Sequence, residues 1–387
     1  MRIEKEIDEF LRENRAEMIL AVCELVRIPS VAKNTDPNFP YGKACMEALE
    51  FCKKLAIKNQ LFVEEYGHYG VEVKFSENAE GKRLLFAAHT DVVPEAEENE
   101  YPPFGGIVSG DYIIGRGVVD DKAPLLAVLY AMSYLKKKKI PLQIDLRLFC
   151  GSHEETDMED IRYYLEKAGQ PDFGLAVDDD FPVTNGEKSV LQFELSKYHS
   201  EVKRREQKME ENDSVKEWEE LLEDTDGEVF GLCFRTEEMG KTECRGKITE
   251  EGTCMIDLRI PFGFSMSEAK EKVLRFAEEK GLQIRILKED EGYYISGEEG
   301  IPKILTELYN QVTQVCENPY VMKGCTYARH FQKGCGFGAG NPREVKPFGK
   351  GHGGAHQSDE AHNIDVFLHA VKMYILGILA VEEYWRE

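Results

Sequence analysis

The chain has 387 residues, of which 42% are hydrophobic, so it is long enough for two domains with sizeable cores. Its formal net charge of −23 argues against nucleic acid or a membrane surface as a partner, because both attract basic proteins. We expect no apolar stretch long enough to span a bilayer, and the charged start lacks the apolar segment of a signal peptide. The 10 cysteines include no C-x-x-C pair, which favours free thiols in a cytoplasmic protein.

The first half of the chain alternates between helical and strand-like patterns. Apolar residues recur at helical spacing in some segments and form short continuous or alternating runs in others. In chain order, the predicted elements are helix 3–26, helix 43–58, strand 71–75, strand 83–88, helix 124–135, strand 144–150, helix 158–168 and strand 173–177. Strands that alternate with helices predict an α/β fold with a mostly parallel sheet.

The pattern changes after Lys188. This part of the sequence predicts strands over 190–195, 229–234, 253–260 and 282–287. It also predicts a charged, exposed helix within 203–223 and a second helix over 265–280. Helices over 301–316 and 365–385 then return to the first style. We therefore predict a discontinuous main domain, residues 1–188 and 297–387, with a smaller α+β domain inserted at 189–296.

Acidic residues and histidines follow the ends of the predicted strands. They are His89, Asp91, Asp120, Glu154, Glu155 and Asp178, with His356 in a later glycine-rich segment. Singly, each has a simple structural explanation, such as a hydrogen-bonded histidine, a turn or the acidic first turn of a helix. Together they indicate a site, because the carboxyl ends of parallel strands meet at one edge of a sheet.

Two histidines and three carboxylates are a suitable ligand set for a pair of zinc ions. One carboxylate must then bridge the ions, which lie roughly 3.5–4 Å apart in such sites. A further carboxylate is needed as general base, and the adjacent Glu154 and Glu155 allow one to bind metal while the other takes the proton. Asp91, two residues past His89, is placed to orient that imidazole.

Several motifs resemble one known family. The blocks His89-Thr90-Asp91-Val92-Val93-Pro94, Gly115-Arg116-Gly117 through Asp120-Asp121-Lys122, and Glu154-Glu155-Thr156 resemble the dinuclear zinc family of acetylornithine deacetylase, succinyl-diaminopimelate desuccinylase and carboxypeptidase G. Four further blocks resemble one branch of this family, the peptidase V, carnosinase-like dipeptidases. They are Asp178 through Asp180-Phe181-Pro182, Asn185-Gly186-Glu187-Lys188, Cys325-Thr326-Tyr327-Ala328-Arg329 and Ala355-His356-Gln357. The motifs of the family run from about residue 27 to 360, nearly the whole chain, so the resemblance implies a zinc-peptidase (aminopeptidase-like) catalytic domain with an inserted lid.

The resemblance also implies roles for the metal-binding residues. Asp120 would bridge two zinc ions, with cobalt or manganese as alternatives. His89 and Asp178 would complete the ligands of one ion, and Glu155 and His356 those of the other.

The resemblance assigns further roles outside the ligand set. Glu154 would be the general base and later the proton donor, and Asp91 would orient His89. Arg329 would bind a substrate carboxylate, which suits a planar guanidinium, and Thr326 would lie in the same substrate-binding segment. The alternative interpretation of Arg329 is a surface ion pair.

The inserted domain departs from the family pattern. The family lid carries a histidine that donates to the developing oxyanion, and this chain lacks its motif. His199 in the insert and His330 beside Arg329 are the candidate substitutes. The lid therefore looks shortened, which leaves both a monomer and a homodimer open.

These observations predict metal-dependent hydrolysis of an amide bond in a small substrate with a free carboxylate, most simply a dipeptide. The mechanism would use a water activated by two zinc ions, with Glu154 as base. Two alternatives remain open: an N-acyl amino acid deacylase, and a degenerate homologue that binds metal and ligand with little turnover.

Overall fold

The computed structural model describes residues 2–33, 39–197 and 218–386. Its α-helices are α1 (Arg2–Val26), α2 (Lys43–Lys58), α3 (Ala123–Lys137), α4 (Glu159–Ala168), α5 (Met266–Glu279), α6 (Gly300–Thr313) and α7 (Ile364–Arg386). Its strands are β1 (Phe62–Glu65), β2 (Gly70–Lys74), β3 (Arg83–His89), β4 (Ile107–Ser109), β5 (Tyr112–Ile114), β6 (Asp145–Gly151), β7 (Phe173–Ala176), β8 (Thr184–Glu187), β9 (Ser189–Lys197), β10 (Arg235–Thr236), β11 (Gly240–Lys241), β12 (Glu243–Ile248), β13 (Cys254–Ile260), β14 (Leu282–Asp290), β15 (Tyr293–Tyr294), β16 (Tyr320–Met322), β17 (Gly334–Gly336) and β18 (Ala361–Asn363).

The chain divides into two compact units. The first contains Met1–Asn185, Ser296–Pro319 and Thr326–Glu387, and the second contains Gly186–Ile295 and Tyr320–Cys325. The predicted boundaries at 188 and 297 lie near this division. That the second unit acts as a lid stays a prediction.

The first unit is built on a mixed sheet whose centre is parallel. Its strand order is β1-β2-β6-β3-β7-β17, in which β6, β3, β7 and β17 run parallel, while β2 runs antiparallel to both of its neighbours, β1 and β6. The predicted α/β class with a mostly parallel central sheet is thereby confirmed. Residues 84–88 of β3 are all buried, as expected for a strand covered on both faces.

Helices cover both faces of this sheet. Phe86 and Phe149 lie on neighbouring strands but point to opposite faces, because Phe149 is paired with Ala87. The Phe86 ring packs against Tyr374 of α7, with centroids 5.6 Å apart, whereas the Phe149 ring stacks on Tyr164 of α4 at 4.3 Å. The aromatic pairs thus fix α7 on one face and α4 on the other.

Helix α7 corrects one sequence-based expectation. An 18-residue window of this 23-residue helix has a mean hydropathy of 1.9, so the helix is long and apolar enough to cross a membrane by length and composition. The expectation that no stretch reaches this length is therefore wrong. In the structure 61% of that window is buried, since α7 packs against α3, α1 and α6. A core helix of a globular domain meets the same criteria.

The second unit has its own core. Its four-stranded antiparallel sheet has the order β12-β13-β9-β14, and α5 packs on β9 and β14. The Phe230 ring lies 5.3 Å from Phe193 on the sheet and 4.8 Å from Phe276 on α5. The unit is therefore an α+β structure that buries apolar side chains between its sheet and helical segments that include α5.

The predicted strand over 229–234 is wrong. Residues Glu228–Phe230 form a short 3-10 helix instead. The Asp224 carboxylate accepts hydrogen bonds from the backbone N–H groups of Gly227 (2.7 Å) and Val229 (3.2 Å), and this local bonding competes with a strand ladder. Gly227, at φ 76°, makes the required left-handed turn.

The predicted charged helix within 203–223 is described only in part. Residues 218–223 are helical, and Trp218 and Leu221 are buried there rather than exposed. Residues 203–217 lie outside the described part of the chain.

Candidate metal centre

Three parallel strands deliver acids and a histidine to one edge of the sheet. His89 ends β3, Glu154 and Glu155 follow β6, and Asp178 follows β7. His89 pairs with Gly151 and Ala87 with Ala176, so these strand ends are level with one another. The predicted gathering of these residues at the carboxyl edge is what the structure shows.

Asp120 lies between the two histidines. Its Oδ1 is 2.9 Å from Nε2 of His89, and its Oδ2 is 2.9 Å from Nε2 of His356. His356 Nε2 is also 3.0 Å from the Glu155 carboxylate, and His89 Nε2 is 3.6 Å from Oδ2 of Asp178. One carboxylate thus faces one imidazole with each of its oxygens, which is the arrangement a bridging ligand requires.

The donor atoms form two groups that fit metal ions. His89, Glu154 and Asp178 each offer one ligand atom within 4.8 Å of the others, and so do Asp120, Glu155 and His356. Zinc–ligand distances of ~2.0–2.2 Å place two tetrahedral ligand atoms about 3.3 Å apart, which these groups reach with small side-chain movements. The residues present therefore fit two metal ions, and Glu154 is close enough to contact one of them.

Asp91 holds the glutamate pair as well as the histidine. Its two carboxylate oxygens accept hydrogen bonds from the backbone N–H groups of Glu154 and Glu155, each at 3.1 Å. His89 Nδ1 lies 2.9 Å from the Asp91 carbonyl oxygen and 3.4 Å from its Oδ1. The closest orienting contact to the imidazole is therefore the backbone carbonyl, while the carboxylate places the two glutamates.

The His89 side of the site is buried and crowded with negative charge. Burial would lower the pKa of His89, but hydrogen bonds to Asp120, Asp178 and Asp91 raise it well above its usual value. Burial first, and then the charge of Asp120, raises the pKa of Asp178 to about 7. Burial also raises the pKa of Glu154 well above its usual range, with Asp178 and Glu155 adding to the effect.

The His356 side is more open. The His356 side chain is 52% exposed, and its hydrogen bonds to Asp120 and Glu155 raise its pKa to about 10. The pKa of Asp120 falls below its usual range, because its bonds to His356 and His89 outweigh its burial. On both sides of the site a histidine is the positively charged partner of the carboxylates. Divalent metal ions would neutralise these carboxylates more fully.

Buried acids that the sequence analysis did not select support the ligand-bearing loops. Asp160 on α4 accepts hydrogen bonds from the backbone N–H groups of Ser152 (2.7 Å) and His153 (2.8 Å), and from the Tyr327 hydroxyl. Asp121 Oδ2 accepts the backbone N–H of His89 at 3.1 Å. Asp121 belongs to the Asp120-Asp121 motif, but the sequence does not show that its side chain is buried, and burial is what indicates its supporting role.

Glu360 is the other missed acid. It is 2% exposed and accepts a hydrogen bond from Arg116, which is 244 residues away in the chain. No spacing rule connects two such distant positions, although Glu360 ends the polar run that follows His356. Only the folded chain reveals this contact.

The predicted substrate residues lie on and beside a short 3-10 helix, Tyr327–His330, which contacts β3, β7 and β17. The Tyr327 ring centroid is 6.3 Å from that of His89, so this helix lies next to the candidate metal ligands. Thr326 is buried, and its hydroxyl accepts the N–H of Ala328 at 3.1 Å, which caps the helix. The roles of Thr326, Arg329 and His330 stay predictions, and His199 lies outside the described residues.

The chain belongs to peptidase family M20/M25/M40, which matches residues 85–379. This confirms the family resemblance drawn from the motifs. A Staphylococcus epidermidis protein named "Putative dipeptidase" is 22% identical over 471 aligned positions, covering 96% of this chain and 98% of that protein. The alignment is longer than this chain of 387 residues, so the relative contains segments without a counterpart here.

Solved structures of peptidases share the fold. Human carnosine dipeptidase 1 is 12% identical with a TM-score of 0.76, covering 98% of this chain and 99% of that one. The Bacillus subtilis YXEP protein, described as a dinuclear metal binding peptidase from M20 family, is 12% identical with a TM-score of 0.59, covering 96% and 98%. At these identities the likeness shows the fold alone.

Proposed function

We propose that the chain is a two-metal peptidase that hydrolyses the amide bond of a dipeptide or similar small substrate with a free carboxylate. The supporting observation is the position of Asp120, whose two oxygens face His89 and His356 at 2.9 Å each. His89 and Asp178 would hold one ion, Glu155 and His356 the other, and Asp120 both. Bound zinc ions would polarise the substrate carbonyl and lower the pKa of water to ~7.

Glu154 is the proposed general base. Its side chain is buried, and Oε1 accepts no hydrogen bond from the described residues. Its backbone is fixed by Asp91, so the carboxylate is held beside the metal ligands with one oxygen available for a proton. A raised pKa suits a group that takes a proton from water and returns it to the leaving amine.

Arg329 is the proposed partner of the substrate carboxylate. It lies on the 3-10 helix capped by Thr326, and the Arg329 N–H itself donates to the Thr326 carbonyl at 3.4 Å. Thr326 would thus orient the segment that presents the guanidinium. His330 or His199 would supply the donor to the developing oxyanion.

The same proposal includes zinc as the ion and the cytoplasm as the compartment. Ten free cysteines are compatible with reducing conditions, and seven of them are fully or almost fully buried. The net charge of −23 opposes binding to nucleic acid or an anionic membrane.

The test is a substrate panel with the full chain loaded with zinc, cobalt or manganese. We expect hydrolysis of at least one dipeptide and much weaker hydrolysis of its C-terminal amide. Hydrolysis of N-acetyl amino acids alone would instead support a deacylase. Metal binding without turnover on either class would support a degenerate homologue.

An Arg329→Met variant sharpens this test. Loss of a charged hydrogen bond of about 1.5–3 kcal/mol should lower kcat/KM for the free dipeptide roughly 10–100-fold and leave the amide almost unchanged. An equal loss for both substrates would contradict the carboxylate-binding role.

A further inference from the structure

Glu360 and Arg116 form a buried pair between the two loops that carry Asp120 and His356. Both side chains are almost fully buried, at 1% and 4% exposure, and Oε2 of Glu360 accepts Nη1 of Arg116 at 2.7 Å. We propose that this pair is a positioning device that sets Asp120 relative to His356. The inference deepens the proposed function, because it rests on the same metal centre.

Glu360 binds the Asp120 loop through its backbone. Oε1 accepts the N–H groups of Val119 (2.8 Å) and Asp120 (3.2 Å), and Oε2 also accepts the N–H of Gly117 at 2.9 Å. A single carboxylate therefore holds three N–H groups of one loop. An ionised carboxylate accepts all of them, and such charge-assisted bonds are stronger than neutral ones.

Arg116 extends this contact to the other loop. Its Nη2 donates to the carbonyl oxygen of His356 at 3.3 Å, while its Nη1 donates to Glu360. The main chain adds a bond from the Gly115 N–H to the Glu360 carbonyl at 2.8 Å. The planar guanidinium thus fixes the distance between the backbone of His356 and the carboxylate that holds Asp120.

This distance controls the candidate bridge. Asp120 presents one oxygen to each imidazole, so a shift of its backbone would move a ligand atom of both ions at once. A shift of His356 would move a ligand atom of one ion only. The ion held by Asp120, Glu155 and His356 therefore depends on the pair through two of its ligands, and the other ion through one.

Glu360→Gln tests the pair. The amide offers one acceptor oxygen and places an NH2 group against N–H donors. We expect cobalt, used as the probe on metal-stripped full chain, to bind the site of Asp120, Glu155 and His356 roughly 10–100-fold less tightly, with a smaller loss at the His89 site. Calorimetry and the visible absorption of bound cobalt measure both ions without any substrate. With cobalt in excess, kcat should fall while KM changes little, since neither residue contacts substrate in this proposal.

Glu382→Gln is the matched control. Glu382 is also a buried carboxylate that accepts two backbone N–H groups, from Gln143 (2.9 Å) and Ile144 (3.1 Å), and pairs with Arg386 at 2.6 Å. It carries no loop of the metal centre. We expect this variant to lose thermal stability but to bind cobalt as the wild type does. Equal weakening of cobalt binding in both variants would overturn the proposal, because general destabilisation would then explain it.

Arg116→Lys decides the case if Glu360→Gln does not fold. Lysine keeps the charge but cannot reach Glu360 and the His356 carbonyl with a rigid fork. We expect roughly tenfold weaker cobalt binding at the His356 site alone. Wild-type binding of both ions by this variant would refute the proposed pair. A wild-type chain that binds two ions but hydrolyses no panel substrate would sink the proposed activity and leave the positioning test valid.

Discussion

The two edges of the central sheet differ in the cations that neutralise their buried carboxylates. At the amino edge, Arg83 and Asp145 begin neighbouring strands and pair at 3.3 Å. Arg147 adds a second guanidinium, 2.7 Å from Asp145 and 2.9 Å from the fully buried Glu72. Asp145 and Glu72 therefore each have an arginine as a partner.

At the carboxyl edge the ion-pair partners of the acids are histidines. Asp120 and Asp178 pair with His89, and Asp120 and Glu155 pair with His356. Two imidazoles cannot neutralise this many carboxylates near neutral pH, and burial raises the pKa of Glu154 and Asp178. The comparison teaches that arginines, which are always charged, stabilise the amino edge as a structural element. The carboxyl edge, whose candidate ligand acids pair with histidines instead, is suited to bind metal ions.

The largest expected effect is on turnover at the carboxyl edge. Replacing Glu154 by Gln removes the group that accepts the proton and keeps its shape, so kcat on a dipeptide should fall about 10²–10⁴-fold. Metal content should stay at the wild-type value, measured by elemental analysis after gel filtration. The neighbouring Glu155→Gln variant is the contrast, since it should lose bound metal.

An inverse result would change the assignment. If Glu154→Gln loses an ion while Glu155→Gln keeps both, the two glutamates exchange roles. The geometry makes this a fair test, because Glu154 offers a ligand atom within 4.8 Å of those of His89 and Asp178.

The next effect compares stability at the two edges in metal-free protein. Asp145→Asn removes the acidic partner of Arg83 and one of the two acidic partners of Arg147, so the free energy of unfolding should fall by about 3–5 kcal/mol. Asp178→Asn should not lower it, because the substitution relieves repulsion from Asp120 and Glu155. Urea unfolding of chelator-treated protein at neutral pH measures both.

With added zinc, the Asp178→Asn variant should become less stable than the wild type. A ligand at 100 times its Kd stabilises the native state by about 2.7 kcal/mol, and Asp178→Asn should gain less than the wild type. A metal-free Asp178→Asn protein that is as destabilised as Asp145→Asn would break the comparison, since both edges would then depend on fixed pairs.

The sequence predicted the candidate metal ligands at the carboxyl edge better than the buried residues that hold the ligand-bearing loops in place. His89, Glu154, Glu155 and Asp178 follow apolar runs, so local patterns place them at strand ends before any tertiary contact is known. The contacts of Glu360 with Arg116 and of Asp160 with Tyr327 join distant segments, and no local pattern encodes them. The predicted strand over 229–234 was wrong because the Asp224 carboxylate binds nearby N–H groups, which hydropathy does not register.

His362 shows a third treatment of a buried ionisable group, which is to keep it neutral. It lies on β18, is 1% exposed, and neither ring nitrogen has a hydrogen-bond partner among the described residues. Burial, helped by the charge of Lys346, lowers its pKa from 6.5 to about 3. Between these values the unfolded chain binds a proton that the folded chain excludes, so stability falls as the pH drops below 6.5.

The smallest predicted effect follows from this sign. For the wild type, acidification from neutral pH to pH ~5 should cost about 2 kcal/mol through His362, and His362→Leu should remove that part of the loss. Ile113→Val is the control, because Ile113 pairs with His362 across the strands and cannot titrate. It should lower stability by about 1 kcal/mol at both pH values. If His362→Leu keeps the full acid-dependent loss, other groups cause that loss and His362 takes up its proton in the folded chain as readily as in the unfolded one. The distinction between pairing, metal binding and enforced neutrality would then fail at this position.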